Sequence, residues 1–182
     1  MASPEIAFLP ASNADSDPAL ISRLTDILNV AYPTEADIFV PGYKRIDEAG
    51  LREVIRAGEL AVAYQDRVAI GCIRVVLPKP GDAGEFGLFA TDTSVRGSGI
   101  GRALVDFAES HCRNAGMREM QLELLIPTWI EGGHPFKNRL HEWYTRLGYK
   151  VTKVETLEEH YPELAPLLRG RCDYTVYRKP LV

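Results

Sequence analysis

The run Val95-Arg96-Gly97-Ser98-Gly99-Ile100-Gly101-Arg102 carries the clearest chemistry in the sequence. Glycines at 97, 99 and 101 permit a tight turn through positive φ and let bare backbone come close to a ligand. The residues that follow, Gly99 to Ala115, have helical periodicity, so the turn presents unpaired N–H groups and the positive end of a helix dipole. That arrangement suits an anion, a phosphate first of all. Two familiar phosphate turns do not fit. A dinucleotide fingerprint needs a third glycine at Arg102 or Leu104, and a P-loop needs Gly-Lys followed by Ser or Thr. Ser98 has glycines one position away rather than two, which rules out a nucleophile elbow. His111, His134, His141 and His160 lack zinc-ligand spacing. What remains is R-x-x-G-x-G, written Arg96, Gly99 and Gly101.

The elements around the turn follow from periodicity. Ile6 to Leu9 reads as a first strand. Leu20, Leu24, Ile27, Leu28 and Ala31 recur at helical spacing, with Pro18 at the start and Pro33 as the stop. Thr34 to Arg45, with Pro41-Gly42 and the exposed-looking Phe39 and Tyr43, reads as a loop. Asp47 caps a second helix with Leu51, Val54 and Ile55 on one face. Leu60 to Tyr64 and Val68 to Leu77 form a hairpin around Asp66-Arg67, a weak pair for a primed turn. Phe86, Leu88 and Ala90 alternate with Glu85, Gly87, Phe89 and Thr91, giving a strand that leads straight into the glycine turn. The helix after it sets Ile100, Ala103, Leu104, Phe107 and Ala108 on one face. A fifth strand covers Met120 to Ile126, a helix Phe136 to Leu147, and further strands Val151 to Val154 and Cys172 to Tyr177. Thr156 to Arg171 is a charged connection. This alternation implies one α/β (α+β) domain over 1–182, a mixed sheet flanked by helices.

Composition narrows the partners. The chain has 182 residues, 21 Lys plus Arg and 25 Asp plus Glu, a mildly negative balance without a basic face, which argues against nucleic acid. Cys72, Cys112 and Cys172 are odd in number and lack metal or redox spacing, so reduced structural thiols are expected. Met1 to Pro10 has no signal-peptide pattern and no stretch approaches membrane-spanning length. The expectation is a cytoplasmic protein with no membrane partner. A final strand at Cys172 to Tyr177 would leave a sheet edge to cover, so a homodimer is a further expectation.

The turn and its context resemble the GNAT superfamily of acyl-coenzyme A dependent N-acyltransferases. A second match is Tyr144-Thr145-Arg146-Leu147-Gly148-Tyr149, similar to that family's Y-x-x-L-G-F/Y segment. A third is Glu85, eleven residues before Arg96. The resemblance spans nearly the whole chain and implies a mostly antiparallel sheet of about six or seven strands with about four helices. It implies acetyl-coenzyme A as donor, its pyrophosphate on the backbone amides from Val95 and Arg96 through Gly97, Ser98, Gly99, Ile100 and Gly101 to Arg102. It also implies Tyr144 near the sulfur and Glu85 as base. Thr91 and Thr93 stand where the family often has a hydrophobic residue and a proline. Lys137 or Asn138 stands at its helix-opening asparagine.

The implied chemistry is transfer to a primary amine. An alkylamine with a pKa near 10 is only roughly 0.1% neutral at pH 7, so a base must take its proton. Glu85 comes first, with Asp92 and Glu123 in reserve. Tyr144, a phenol of acidity comparable to a thiol, would protonate the departing thiolate. Backbone N–H groups near Ala90 and Thr91 would orient the pantetheine arm and polarise the acyl oxygen. Direct transfer in a ternary complex is expected, since no cysteine sits in a nucleophile-like motif. Phe39, Tyr43 and Trp129 are candidates for an acceptor pocket. The acceptor is a small molecule or a peptide. An acyl-coenzyme A sensor without catalysis, and a protein acetyltransferase, are the alternatives.

Overall fold

The computed structural model describes residues 4–32, 35–79 and 82–181, so Pro33, read above as a helix stop, lies outside the described residues. In chain order the elements are β1 (Glu5–Phe8), α1 (Asn13–Ser16), α2 (Pro18–Ala31), α3 (Glu35–Ile38), α4 (Glu48–Arg56), β2 (Leu60–Gln65) and β3 (Val68–Val76). They continue with β4 (Gly84–Thr91), α5 (Ile100–Asn114), β5 (Glu119–Pro127), α6 (Pro135–Arg146), β6 (Lys150–Thr156), α7 (Leu157–His160) and β7 (Cys172–Pro180). The four longest helices are the four the periodicity gives. α1, α3 and α7 are single turns of four residues, too short to show a period. Asp47 caps α4 where the sequence places it, accepting from the Gly50 N–H at 2.8 Å, and Asp17, ahead of Pro18, accepts from the Leu20 N–H at 3.0 Å at the start of α2. Asp66 and Arg67 both have positive φ, so the hairpin closes on a primed turn despite its unfavourable residues.

Seven strands form one sheet in the order β1-β2-β3-β4-β5-β7-β6. All neighbours are antiparallel except β4 and β5, which run parallel and pair only at Gly84 with Met120 and Glu85 with Gln121. Beyond that point the two strands part. A β-bulge accompanies the parting: opposite β3 the register steps from Cys72–Ala90 to Arg74–Gly87, and Leu88 has φ 41°. The bulge also inverts the facing of β4. Phe86 packs with α5, but Leu88 and Ala90 pack on the opposite face with α2 and α4, while Phe89 returns to the side of Phe86. Phe86, Leu88 and Ala90 therefore do not share a face, which corrects the simple alternation read from sequence.

Three apolar clusters hold the layers. On one face Leu104, Val105, Ala108 and Cys112 of α5 meet Ile73, Leu122, Tyr149 and Tyr177. On the other, Leu24 and Leu28 of α2 and Leu51 and Ile55 of α4 cover Val62 and Cys72. Fully burying each such leucine contributes about 2 kcal/mol. A smaller cluster joins Ile38 and Phe39 to Leu157, Cys172, Tyr174 and Val176.

Two expectations are corrected by this topology. β7 is an interior strand between β5 and β6, and the sheet ends on β1 and β6, so the edge invoked for a homodimer is not at β7. Phe39 is buried, 2% exposed, and forms a bridge with Leu168, because the segment before Arg45 folds back over the connection between α7 and β7. Among the described residues no helix is long and apolar enough to cross a membrane.

Candidate active site

The glycine turn lies between the end of β4 and α5. Asp92 starts it, accepting from the Ser94 N–H at 2.9 Å and the Ser94 hydroxyl at 2.7 Å, and pairing with Arg23 of α2 at 2.8 Å. Those Ser94 bonds, with Arg23 beside them, hold the Asp92 carboxyl below its ordinary range. Asp92 also stands outside the cavity lining, so it is a cap and a strut and is dropped as a base. Gly97 at φ 79° and Gly99 at φ 89° carry the chain through left-handed backbone, and no side chain caps α5. Among the described residues, the amides of Gly97, Gly99, Ile100, Gly101 and Arg102 make no backbone hydrogen bond. The Val95, Arg96 and Ser98 amides do, to Asp92 at 3.2 Å, Thr93 at 3.4 Å and Val95 at 3.2 Å, which removes those three from the expected amide set. Arg96 is exposed and lines the cavity; Val95 packs against the core, Ile100 is buried within it, and Arg102 pairs with Asp106 at 2.8 Å.

A cavity of about 490 Å³ runs from this turn into the gap between β4 and β5. Ala90 and Thr91 line it along the edge of β4 that β5 leaves unpaired. Tyr32 reaches the same edge and donates to the Phe89 carbonyl at 3.1 Å. Phe89 stacks on Trp143 of α6 at 5.8 Å and 6°, and a Cβ on Gly101 would stand 3.2 Å from its ring. Thus α5, α6 and the bulge are seated on one another.

Glu85 and Glu123 face the cavity where the strands part. Glu85 is in register with Gln121, two residues before Glu123 on β5. The Gln121 amide donates to Glu123 at 2.6 Å and accepts from Arg178 at 2.9 Å. Burial pushes Glu123 up to about 7; the Glu85 charge adds to this, and the Gln121 bond, His160 and Arg45 oppose it. Burial raises Glu85 too, against the pull of Arg74, with Glu59 adding a smaller upward push. Arg74 is itself held by Glu59 at 2.6 Å.

Tyr144 of α6 lines the cavity, 4% exposed, among Phe86, Tyr149 and Tyr177. Its hydroxyl has no hydrogen-bond partner among the described residues. Burial, then Tyr32 and Tyr177, push this phenol well above its usual value, so it is a weaker acid than a free phenol. That corrects the comparable acidity expected from sequence.

The aromatic candidates separate. Phe39 lines the cavity, Tyr43 stacks on Phe39 at 3.9 Å and stands outside the lining, and Trp129 lies over Gly170 away from the cavity. Tyr32, Arg45, Tyr161 and Tyr174 also line the cavity, none of them singled out individually by sequence reasoning. The alternation of β7 places Tyr174 in a strand; Arg45 left no signal, being a single cation in a loop.

A family model described as an acetyltransferase (GNAT) domain matches residues 56–151, more than half of the chain. None of the curated protein sequences compared matches it. Among solved structures, aminoglycoside 6'-N-acetyltransferase complexed with coenzyme A superimposes with TM-score 0.70 at 17% identity, over 98% of this chain and 97% of that one. The Salmonella typhimurium protein yncA, solved with its cofactor acetyl-CoA, gives 0.66 at 16% identity, over 100% and 95%. The ribosomal-protein-S18-alanine N-acetyltransferase from Escherichia coli gives 0.66 at 14% identity, over 98% and 94%. With a parted parallel strand pair, a bulged β4 and an uncapped glycine turn carrying R-x-x-G-x-G, the chain belongs to the GNAT acetyltransferase family.

Proposed function

We propose that the protein transfers an acetyl group from acetyl-coenzyme A to a primary amine by direct attack in a ternary complex. The observation that carries this reading is one cavity lined by Arg96 of the glycine turn, by the Glu85 and Glu123 carboxylates where the strands part, and by Tyr144. The free amides of Gly97, Gly99, Ile100, Gly101 and Arg102 would hold the pyrophosphate, with Arg96 adding charge. The open edge at Ala90 and Thr91 would take the pantetheine arm. Bound there, acetyl-coenzyme A supplies a thioester carbon open to attack.

Glu123 is the better matched base. A carboxylate near 7 can take a proton from an ammonium at neutral pH far more readily than one near 4, and burial keeps it there with Glu85 adding repulsion. The sequence reading put Glu85 first; the pair acts together, Glu123 accepting the proton and Glu85 adding to the affinity that burial gives it. Tyr144 donates to the departing sulfur. Each of these groups is expected to contribute about 10²- to 10⁴-fold. Direct transfer is supported by the cysteines: all three are buried, burial pushes Cys72 up to about 12 and Cys112 up to about 11, and none lines the cavity.

Thiol release from acetyl-coenzyme A with small-molecule and peptide amines tests the reading. Turnover that depends on the amine supports it. Tight coenzyme binding with no turnover on any acceptor points to a sensor instead, and a covalent acetyl label retained on the protein overturns direct transfer.

A further inference from the structure

Glu119, Gln121 and Glu123 recur at every second position of β5, so they share one face of the sheet. Arg178 of β7 stands directly opposite Gln121 in the register. Its Nε donates to the Gln121 Oε1 at 2.9 Å, and its Nη1 donates to Glu119 at 3.3 Å. The Gln121 Nε2 in turn donates to the Glu123 Oε1 at 2.6 Å. These side chains form one line of hydrogen bonds, which begins at a half-exposed ion pair and ends on a carboxylate that lines the cavity.

Chemistry fixes the direction of this line. A guanidinium only donates, so the amide atom that meets Arg178 is the oxygen, and the atom left for Glu123 is the nitrogen. With Arg178 gone, the amide is free to turn over and offer Glu123 its oxygen. An N–H donor favours the ionised carboxyl, whereas an oxygen favours the protonated one. Glu85 of β4, His160 of α7, Arg45 of the loop after α3 and Tyr174 of β7 also face Glu123, and they act on it as charges or dipoles from other elements. Gln121 acts on it by a bond. Resting on the transfer reading above, we propose that Arg178 is a positioning residue, which pins the Gln121 amide so that its N–H stays on Glu123 and that carboxylate is ready for the proton of the acceptor ammonium. The bond at Oε1 leaves Oε2 for that proton. The electron pair of the broken N–H bond stays on the amine nitrogen and attacks the thioester carbon.

The titration of the Glu123 carboxyl tests this without any acceptor. It is read by carbon-13 NMR of the full chain labelled at the glutamate Cδ, with E123Q assigning the signal. Gln121 and Arg178 are both half-buried, so changes there do not empty the core. Q121L removes the amide and is expected to raise the midpoint by about one pH unit, the worth of one hydrogen bond to a charged group. R178M keeps a stem but cannot donate, and it raises the midpoint in the same direction. In the double variant R178M adds nothing to Q121L, because Arg178 acts through the amide. R178K, which still donates, stays nearer the parent. The pH limb of kcat/KM, read by thiol release with the amine of the panel above that turns over fastest, moves up with the NMR midpoint. Midpoints that move as stated in a protein without thiol release sustain the pinned amide and sink the transfer reading. A midpoint unmoved in R178M, shifts that add in the double variant, or a turnover limb that stays in place while the midpoint moves overturns the role of Arg178.

Discussion

The Gln121 side-chain amide donates to the Glu123 carboxylate at 2.6 Å while Gln121 itself stands in register with Glu85 across the only paired stretch of β4 and β5. One glutamine therefore ties the Glu123 carboxylate to the point where the strands part. If Glu123 takes the amine proton, kcat/KM rises with pH through a midpoint about 7, because the carboxylate must be ionised to accept it. E123Q removes that limb and leaves only the slope from the amine's own titration. E85Q takes away the charge that pushes Glu123 up, so the limb moves to lower pH. A profile of E123Q indistinguishable from the parent would assign the base elsewhere.

The same shift makes a stability prediction. The folded state holds the Glu123 proton up to about 7, and the unfolded chain loses it near the ordinary 4.5. Stability contributed by this group is thus fully present below 4.5 and falls as pH rises toward 7. Replacing Glu123 by Gln, which cannot ionise and can still accept from Gln121, removes the loss. Thermal melts of E123Q and the parent should coincide near pH 4 and separate near pH 8, with E123Q the more stable; a lower melting temperature for E123Q at pH 8 would refute the burial argument.

Tyr144 offers a separation of chemistry from folding. Its hydroxyl has no protein partner among the described residues, so Y144F keeps the ring packing against Phe86 and Tyr149 and leaves no orphaned donor. The melting temperature and coenzyme A affinity should hold, while kcat drops by about 10²-fold or more. An unchanged kcat would leave Tyr144 as core packing alone.

How far the sequence foretold this site depends on which interaction fixes each residue. The turn was legible because glycines at 97 and 99 are demanded by local backbone geometry, φ 79° and 89°, and the helix after it by its own period. Asp47 was readable for the same reason, being a local cap. The bulge at Leu88 was not: a leucine at φ 41° is held by the buried cluster it packs in with α2 and α4, and nothing in Glu85 to Thr91 marks it. With it went the true facing of Phe89. Arg45 and Glu123 meet only through the fold, one from the loop after α3 and the other from β5, so neither could be weighed against the other from spacing. Phe39 looked exposed because its cover, Leu168, lies far along the chain.

Gly99 and Gly101 respond to alanine in opposite ways. At Gly99 a Cβ meets nothing within 4 Å, so the penalty of G99A is the backbone one for leaving φ 89° to a residue with a side chain, about 1 kcal/mol. Shifting that residue also turns the free amides of Ile100 and Gly101, so coenzyme A binding weakens with stability. Gly101 has helical backbone, and alanine there gains up to about 1 kcal/mol of helix propensity. Its new Cβ, however, lies 3.2 Å from the Phe89 ring, and Phe89 is backed by Trp143. The ring has to yield, and it yields by moving the bulge that edges the cavity. G101A is therefore expected to melt close to the parent yet lose coenzyme A affinity and kcat/KM together, whereas G99A loses melting temperature as well. Calorimetry with coenzyme A beside thermal melts reads both, and a G101A protein with full affinity would show that Phe89 can give way without disturbing β4.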